Sequence, residues 1–333
     1  MLSPALCYMR ANLRPKGEMG MTERLASFFK DLNKNKALLL MALPATVWFI
    51  CFSYLPMAGL VIAFKEYRYT REGFLASIIK SKWVGFGNFK FLFSTSDAYI
   101  ITRNTLLYNA AFIVFGLILS VALAIVLSEL TSRRLAKWFQ TGMFMPHFLS
   151  WVIVSYFVFS FLSFDKGVIN RVLEWFGREP IQWYYDKTYW PVILVIVYLW
   201  KTVGYNSVIY LAGILGIDRS LYEAAMIDGA TKWQQIRNIT IPSLKPLMII
   251  MTLLAVGKIF YADFGLFYQV PRDSGTLYAV TNVIDTYVYR GLKVTGEIGM
   301  SAAAGLYQSV VGFVLVLLSN WIVRKIDQDS ALF

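Results

Sequence analysis

The apolar residues of this chain are gathered into long runs, not spread at short helical or alternating spacing. A membrane-spanning helix needs about 20 consecutive, largely apolar residues. Six stretches meet that length, near 37–64, 105–127, 142–162, 190–212, 247–267 and 302–323. Pro44 and Pro56 fall inside the first and predict kinks there. Lys201 and Lys258 interrupt the fourth and fifth. A charge in lipid is costly, so both lysines are expected to face protein, water or an interface. The pattern predicts an all-α membrane protein with one transmembrane domain over 37–325, preceded by a tail over 1–36. No signal-peptide pattern precedes the first run, which is too long for the core of one and reads as a retained span.

The polar connections are unequal. Loop one, Lys65 to Asn104, is long and aromatic. Its segment Trp83-Val84-Gly85-Phe86-Gly87-Asn88-Phe89-Lys90-Phe91 interleaves rings with glycine, a composition suited to the membrane interface or to a soluble partner outside. Loop two is short and carries Arg133, Arg134 and Lys137. Loop three runs from Ser163 to Tyr189, loop four from Gly213 to Pro246, and loop five from Tyr268 to Ser301. Six spans put both termini on one side. Raw charge totals barely choose that side: the tail, loops two and four and the C-terminus hold 16 basic residues, the other loops 14. Position does better, because Lys34, Lys36 and the loop-two cluster abut helices. The positive-inside rule then makes the basic tail, the even loops and both termini cytoplasmic.

Composition adds exclusions. Hydrophobic residues are 57% of the 333 and charged residues 16%, against roughly 25% charged in a soluble domain. Mean hydropathy is +0.54. These values argue against disorder, a disulfide scaffold and a nucleic-acid module. The net charge of +12 fits basic loops beside anionic headgroups. The two cysteines, Cys7 and Cys51, lack metal-ligand spacing. His147 is the only histidine, so a multi-histidine metal site within the chain is excluded, and it reads as structural.

Loop four carries the most informative pattern, Ser220-Leu221-Tyr222-Glu223-Ala224-Ala225-Met226-Ile227-Asp228-Gly229-Ala230-Thr231-Lys232-Trp233-Gln234, ending at Ile239-Thr240-Ile241-Pro242. Ser220 with Glu223, and Thr231 with Gln234, have capping-box spacing. Two short helices joined near Gly229 are predicted, since glycine tolerates conformations that other residues resist. Ala224 and Ala225 would let another protein approach closely, while Leu221, Tyr222 and Met226 filled a groove.

This stretch resembles the EAA loop of permease subunits in bacterial ABC importers. The family motif is Glu-Ala-Ala, three residues, Gly, nine residues, then Ile-x-Leu-Pro. Glu223, Ala224, Ala225, Gly229, Ile239 and Pro242 match it, and Ile241 replaces the usual Leu. Gly87-Asn88-Phe89, Asn104-Thr105-Leu106 and Asp263-Phe264-Gly265-Leu266-Phe267-Tyr268-Gln269 look like carbohydrate importers of the LplB type, a group that includes alginate and pectin-oligosaccharide systems. The resemblance runs from about Ala37 to Lys325. It implies a six-span permease fold in a bacterial inner membrane. It also implies that Leu221, Tyr222, Glu223, Ala224, Ala225, Met226, Asp228 and Gly229 belong to a helix that couples to a cytoplasmic ATPase. The partners it implies are two ATPase subunits, a second permease, an extracytoplasmic binding protein and an oligosaccharide. The chain has no GxxxxGK[ST] phosphate loop. It is therefore not expected to be an enzyme or to bind a cofactor itself, and ATP and Mg fall to the partner ATPases.

A sugar site combines apolar or aromatic surface with a few oriented polar groups. Span four offers Tyr198, Trp200, Lys201, Tyr205, Asn206 and Tyr210, and span five with its exit offers Lys258, Tyr261, Asp263 and Tyr268. The same aromatic residues would also serve to pack helices. The two lysines admit two readings. Each pairs with an acid such as Asp263 or snorkels to an interface, or together they make the pathway cationic and favour uronate oligosaccharides. Other functions compatible with the architecture are a permease for another solute, a non-translocating scaffold or receptor subunit, and a secondary transporter.

Overall fold

The structure, a computed structural model, describes residues 34–90 and 96–326. Most of the basic tail, residues 1–33, lies outside them. The chain divides into two compact units with the boundary after Leu60. In the first, α1 (Lys36–Phe49) contains Pro44 and continues through a wider turn at Ile50–Tyr54. Helical winding carries on to Phe64, giving an apolar stretch of 29 residues.

The second unit opens with a short antiparallel pair, β1 (Lys65–Glu66) and β2 (Lys82–Trp83), in which Lys65 faces Trp83. Helix α2 (Phe74–Lys80) lies between the strands. The long helix α3 (Ser96–Ser128) follows. It packs along α7 (Trp190–Leu215), and this is the main helix–helix interface of the unit. Buried Tyr108, Phe112, Leu194, Phe267 and Val270 fill the core there. A second core, with Ile101, Phe260, Ile284 and Ala303, sits where the last helix arrives.

The third apolar stretch departs from the straight span expected over 142–162. It is split into α4 (Arg133–Phe148) and α5 (Trp151–Leu162), which meet at 101°. Ser150 starts α5 by accepting a hydrogen bond from the Ile153 N–H at 3.3 Å. The last carbonyls of α4 have no helical N–H ahead of them. Lys201 of α7 supplies the donor. Its Nζ donates to the carbonyls of Pro146 (3.3 Å), His147 (2.7 Å) and Leu149 (2.5 Å). The ammonium thus sits at the negative end of α4, and it lies 5.2 Å from the Trp151 ring. Lys201 is buried. Among the described residues it pairs with no acid, and it does not snorkel, because backbone oxygens solvate it in place.

Helix α6 (Val168–Trp175) follows α5, and α8 (Arg219–Ile227) follows α7. The helix of the fifth expected span, α9 (Lys232–Val256), starts well before the expected residue 247 and ends well before 267. The loop read as 213–246 therefore contains the beginning of this helix. After Val256 the chain is irregular to Asp263, and the released backbone groups are met by side chains from three directions. Asn109 Nδ2 of α3 donates to the carbonyls of Ile259 (2.9 Å) and Tyr261 (3.3 Å). Gln308 Nε2 donates to the Phe260 carbonyl at 2.5 Å. The Ala262 N–H donates to Asp285 Oδ2 at 2.8 Å. Asp263 then caps α10 (Phe264–Gln269), accepting from the Gly265 and Leu266 N–H groups. Helices α11 (Ile284–Arg290) and α12 (Ile298–Ile326) complete the fold. Among the described residues five helices are long and apolar enough to cross a membrane, and the α4–α5 pair makes six when counted as one broken span.

Two substitutions test this arrangement. Lys201→Met removes the donor from the end of α4 and is expected to cost about 1–3 kcal/mol per carbonyl left unmet. It should lower the melting temperature of the purified protein, with Lys201→Arg recovering part of the loss. A Cβ on Gly204 would stand 1.9 Å from the Met143 carbonyl oxygen, whereas one on Gly305 meets nothing within 4 Å. Gly204→Leu should therefore destabilise by at least the ~1–3 kcal/mol of ordinary overpacking, and Gly305→Ala should not. Equal melting temperatures for those two would refute the α4–α7 contact.

Candidate translocation cavity and coupling surface

The interruption after α9 opens onto a cavity of about 640 Å³. Helix α7 gives it one stripe, Tyr198, Thr202, Asn206 and Tyr210, at strict four-residue spacing. Residues four apart lie on one face of a helix. Helix α3 contributes Asn109, Phe112, Gly116 and Ser120. The third wall is Thr252 and Ala255 of α9 with Lys258, Tyr261 and Asp263 of the break. The Phe112 and Tyr198 rings stack with centroids 3.8 Å apart and 16° between planes. The lining is thus aromatic surface with amide and hydroxyl groups at intervals, the combination that holds polar, ring-shaped solutes.

Lys258 and Asp263 are the charged residues of that lining. Asp263 is already engaged. Its Oδ2 accepts from Trp151 Nε1 at 2.8 Å, and its Oδ1 caps α10. Gly265 allows this, since a Cβ there would lie 2.1 Å from Trp151 Cδ1. Lys258 is exposed, and among the described residues it makes no ion pair. The one charge in the cavity left for a solute is therefore positive.

Of the ten pathway residues proposed from sequence, Tyr198, Asn206, Tyr210, Lys258, Tyr261 and Asp263 line the cavity. Four do not. Trp200 lies on another face of α7, in an apolar groove with Pro146 and Phe157. Lys201 is committed to α4. Tyr205 stacks on His147 with centroids 4.2 Å apart. Tyr268 stacks on Phe264 and meets Tyr289 edge-on. Asn109, Phe112, Ser120, Thr202 and Thr252 were missed. Thr202 was recoverable, being midway between Tyr198 and Asn206 on the stripe. The α3 residues carried no signal beyond polar atoms inside an apolar run.

At the other end of α9 lies the surface built by the Glu-Ala-Ala stretch. Asp218, not Ser220, caps α8, accepting from the Ser220 N–H at 2.9 Å. That bond holds the Asp218 carboxyl below its ordinary range, so the cap is present at neutral pH and is lost as pH falls through the lowered value. Gly229 turns the chain with φ of +77°. Thr231 and Gln234 then form a reciprocal capping box at the start of α9. Glu223, Ala224, Met226 and Asp228 are exposed, as is Leu221, and Ile227 is 86% exposed. Tyr222 and Ala225 turn inward instead. Tyr222 Oη lies 2.9 Å from Thr240 Oγ1, which fastens α8 to α9 and leaves Tyr222 half-buried. Lys232 meets Glu129 at 3.0 Å, joining the start of α9 to the end of α3. Among the described residues no cluster of histidine, cysteine and carboxylates has the makings of a metal site.

Known proteins share this architecture. The family model for the binding-protein-dependent transport system inner membrane component matches residues 113–328. Protein LplB of Bacillus subtilis is 33% identical over 304 residues, covering 91% of this chain and 93% of that one. The polygalacturonan/rhamnogalacturonan transport system permease protein YteP of the same organism is 34% identical over 300 residues, covering 90% and 91%. Among solved structures, a bacterial ABC transporter involved in import of the acidic polysaccharide alginate matches with a TM-score of 0.82 at 33% identity, over 90% of this chain and 99% of that one. A bacterial alginate ABC transporter in complex with an alginate pentasaccharide-bound periplasmic protein matches with a TM-score of 0.80, also at 33% identity, over 90% and 97%. With a family model spanning more than half its length and relatives matched almost end to end, the chain belongs to the family of binding-protein-dependent transport system inner membrane components.

Proposed function

We propose that this chain is the membrane permease of an ATP-driven importer and that its cargo is an acidic oligosaccharide handed over by a binding protein. The observation that carries the reading is the cavity: aromatic and amide groups from α3, α7 and the break after α9 around a lysine that makes no ion pair among the described residues, while the one carboxylate of the lining is engaged elsewhere. Lys258 would hold a uronate carboxylate, the Phe112–Tyr198 pair would support a sugar ring, and Asn109 and Asn206 would bond hydroxyls. The relatives named for polygalacturonan/rhamnogalacturonan and alginate transport lend support to a uronate cargo.

The α8 surface would dock on a cytoplasmic ATPase, one for each of two permeases, with both termini on that side. ATP and Mg belong to those ATPases. Nucleotide binding there drives transport only if the ATPases bind the inward-open and outward-open permeases with different affinity. The small Ala224 and the projecting Leu221, Met226 and Ile227 suit that docking.

Uptake into proteoliposomes by the reconstituted complex tests the cavity. Lys258→Gln should reduce transport of an oligouronate by about tenfold, the scale of one charge-assisted hydrogen bond, and leave a neutral oligosaccharide unchanged. Unchanged transport of both by a correctly assembled complex would remove the cationic-cavity argument. For the docking surface, Ala224→Arg should abolish copurification of the ATPase while helix content stays as in the wild type. Retention of two ATPase copies by that variant would exclude α8 as the docking element.

A further inference from the structure

The aromatic segment of loop one has no role in the cavity or at the coupling surface, yet it is firmly built. Asn88 Nδ2 donates to the carbonyls of Ala63 (3.0 Å) and Lys65 (2.9 Å). A Cβ on Gly299, in the first turn of α12, would lie 2.7 Å from the same Asn88 nitrogen. The segment is thus pinned against the start of α12. Phe64 gathers the rings around it, stacked with Trp83 at 5.8 Å and meeting Phe86 and Phe89 at 5.6 Å each. Between this platform and α12 runs a groove of about 830 Å³, lined by Phe64, Phe86, Phe89, Leu306, Tyr307 and Val310, with Lys90 at its edge.

We infer that this groove is a binding site for one anionic phospholipid, with the headgroup phosphate on Lys90 and an acyl chain along α12. Three observations converge. First, the walls are apolar, and they continue along α12 as exposed Val310, Phe313 and Leu317, a single face at spacings of four, three and four from Leu306. Leu306 to Leu317 is about 16 Å of helix at 1.5 Å per residue, close to half of the ~30 Å hydrocarbon core and so to one acyl chain. Second, Trp83 and Phe86 are 61% and 74% exposed beside it, as rings at a water–lipid boundary are. The far end of the same helix has its own marker, Lys325 over the Trp321 ring at 3.9 Å.

Third, the charge fits. Of the loop-one cations, Arg68 pairs with Glu66, Lys80 with Glu72, and Lys65 donates to the Ile78 and Ile79 carbonyls, whereas Arg71 and Lys82, like Lys90, make no ion pair among the described residues; of these three, Lys90 is the one that lines the groove. Lys90 is exposed and, among the described residues, has no carboxylate within ion-pair distance. A lysine at the end of an apolar groove complements a phosphate attached to a hydrocarbon chain. A second protein subunit would have to bring its own carboxylate or carbonyl to meet that charge.

The test uses the intact complex in nanodiscs containing phosphatidylcholine and a trace of phosphatidylglycerol with a photoreactive acyl chain. After irradiation, the labelled peptide is identified by mass spectrometry. Label is expected on the stretch around Leu306 to Leu317. Lys90→Gln should weaken the labelling about fivefold, the factor carried by one lysine beside an anionic headgroup, and Lys90→Arg should restore it. Val310→Trp, which fills the groove without touching the charge, should weaken it as well. The same chain carried on phosphatidylcholine should label poorly and should not respond to Lys90→Gln. Labelling indifferent to Lys90, or equal for the two lipids, would overturn the proposal. So would a cross-link from Val310 to a second permease subunit, since protein would then occupy the groove. Sugar uptake is not the readout, so failure here leaves the transport assignment standing.

Discussion

A backbone that leaves helical geometry inside a membrane must find hydrogen bonds from somewhere other than water. This protein breaks its helices at two places, and both breaks are held by polar side chains borrowed from other helices. At the first, one lysine ammonium takes up the carbonyls at the end of α4. At the second, Asn109, Gln308 and Asp285 each reach a different part of residues 259–262. The two sites are joined, because Trp151 at the start of α5 donates to Asp263 at the end of the second break. The core packing fills in around these fixed points.

The same constraint accounts for the cavity. Had α9 continued as a helix to residue 267, Lys258 and Tyr261 would lie on the surface of a rod. Because the helix stops at Val256, the chain turns and brings Lys258, Tyr261 and Asp263 against the polar stripe of α7. Asp263 illustrates how placement decides chemistry. It lines the cavity, but its oxygens are occupied by an indole N–H and a helix N-terminus, so it serves structure and leaves Lys258 as the available charge.

Much of this was legible in the sequence. Long apolar runs gave the membrane class, and the Thr231–Gln234 capping spacing with Gly229 gave the helix–turn–helix around a left-handed glycine, although the second helix, read as short, is the start of the long α9. What hydropathy could not show was a bend. A window average over 142–162 reads as one span, since Pro146 and Ser150 barely lower it, yet the chain turns by 101° there. Lys201 was misread for a related reason. Sequence shows a cation in an apolar run and suggests an acid as its partner, whereas backbone carbonyls satisfy it and carry no sequence signature. Similarly, Asp218 lies outside the Ser220–Glu223 capping pattern, and only geometry shows which oxygen reaches the first N–H groups.

The continuity of α9 has a mechanical consequence. It begins at the capping box beside the coupling surface and ends at the residue before the cavity break. Its 25 residues make a strut about 37 Å long. The helix includes one wider turn at Ile236–Thr240, and under the role proposed for α8 a displacement at Lys232 would be carried along it towards Val256. The strut is clamped near its loaded end to α8 through Tyr222 and to α3 through Glu129. The helix thus ties the α8 surface to the cavity lining, so that a shift at Lys232 would be felt at Lys258, two residues past its end.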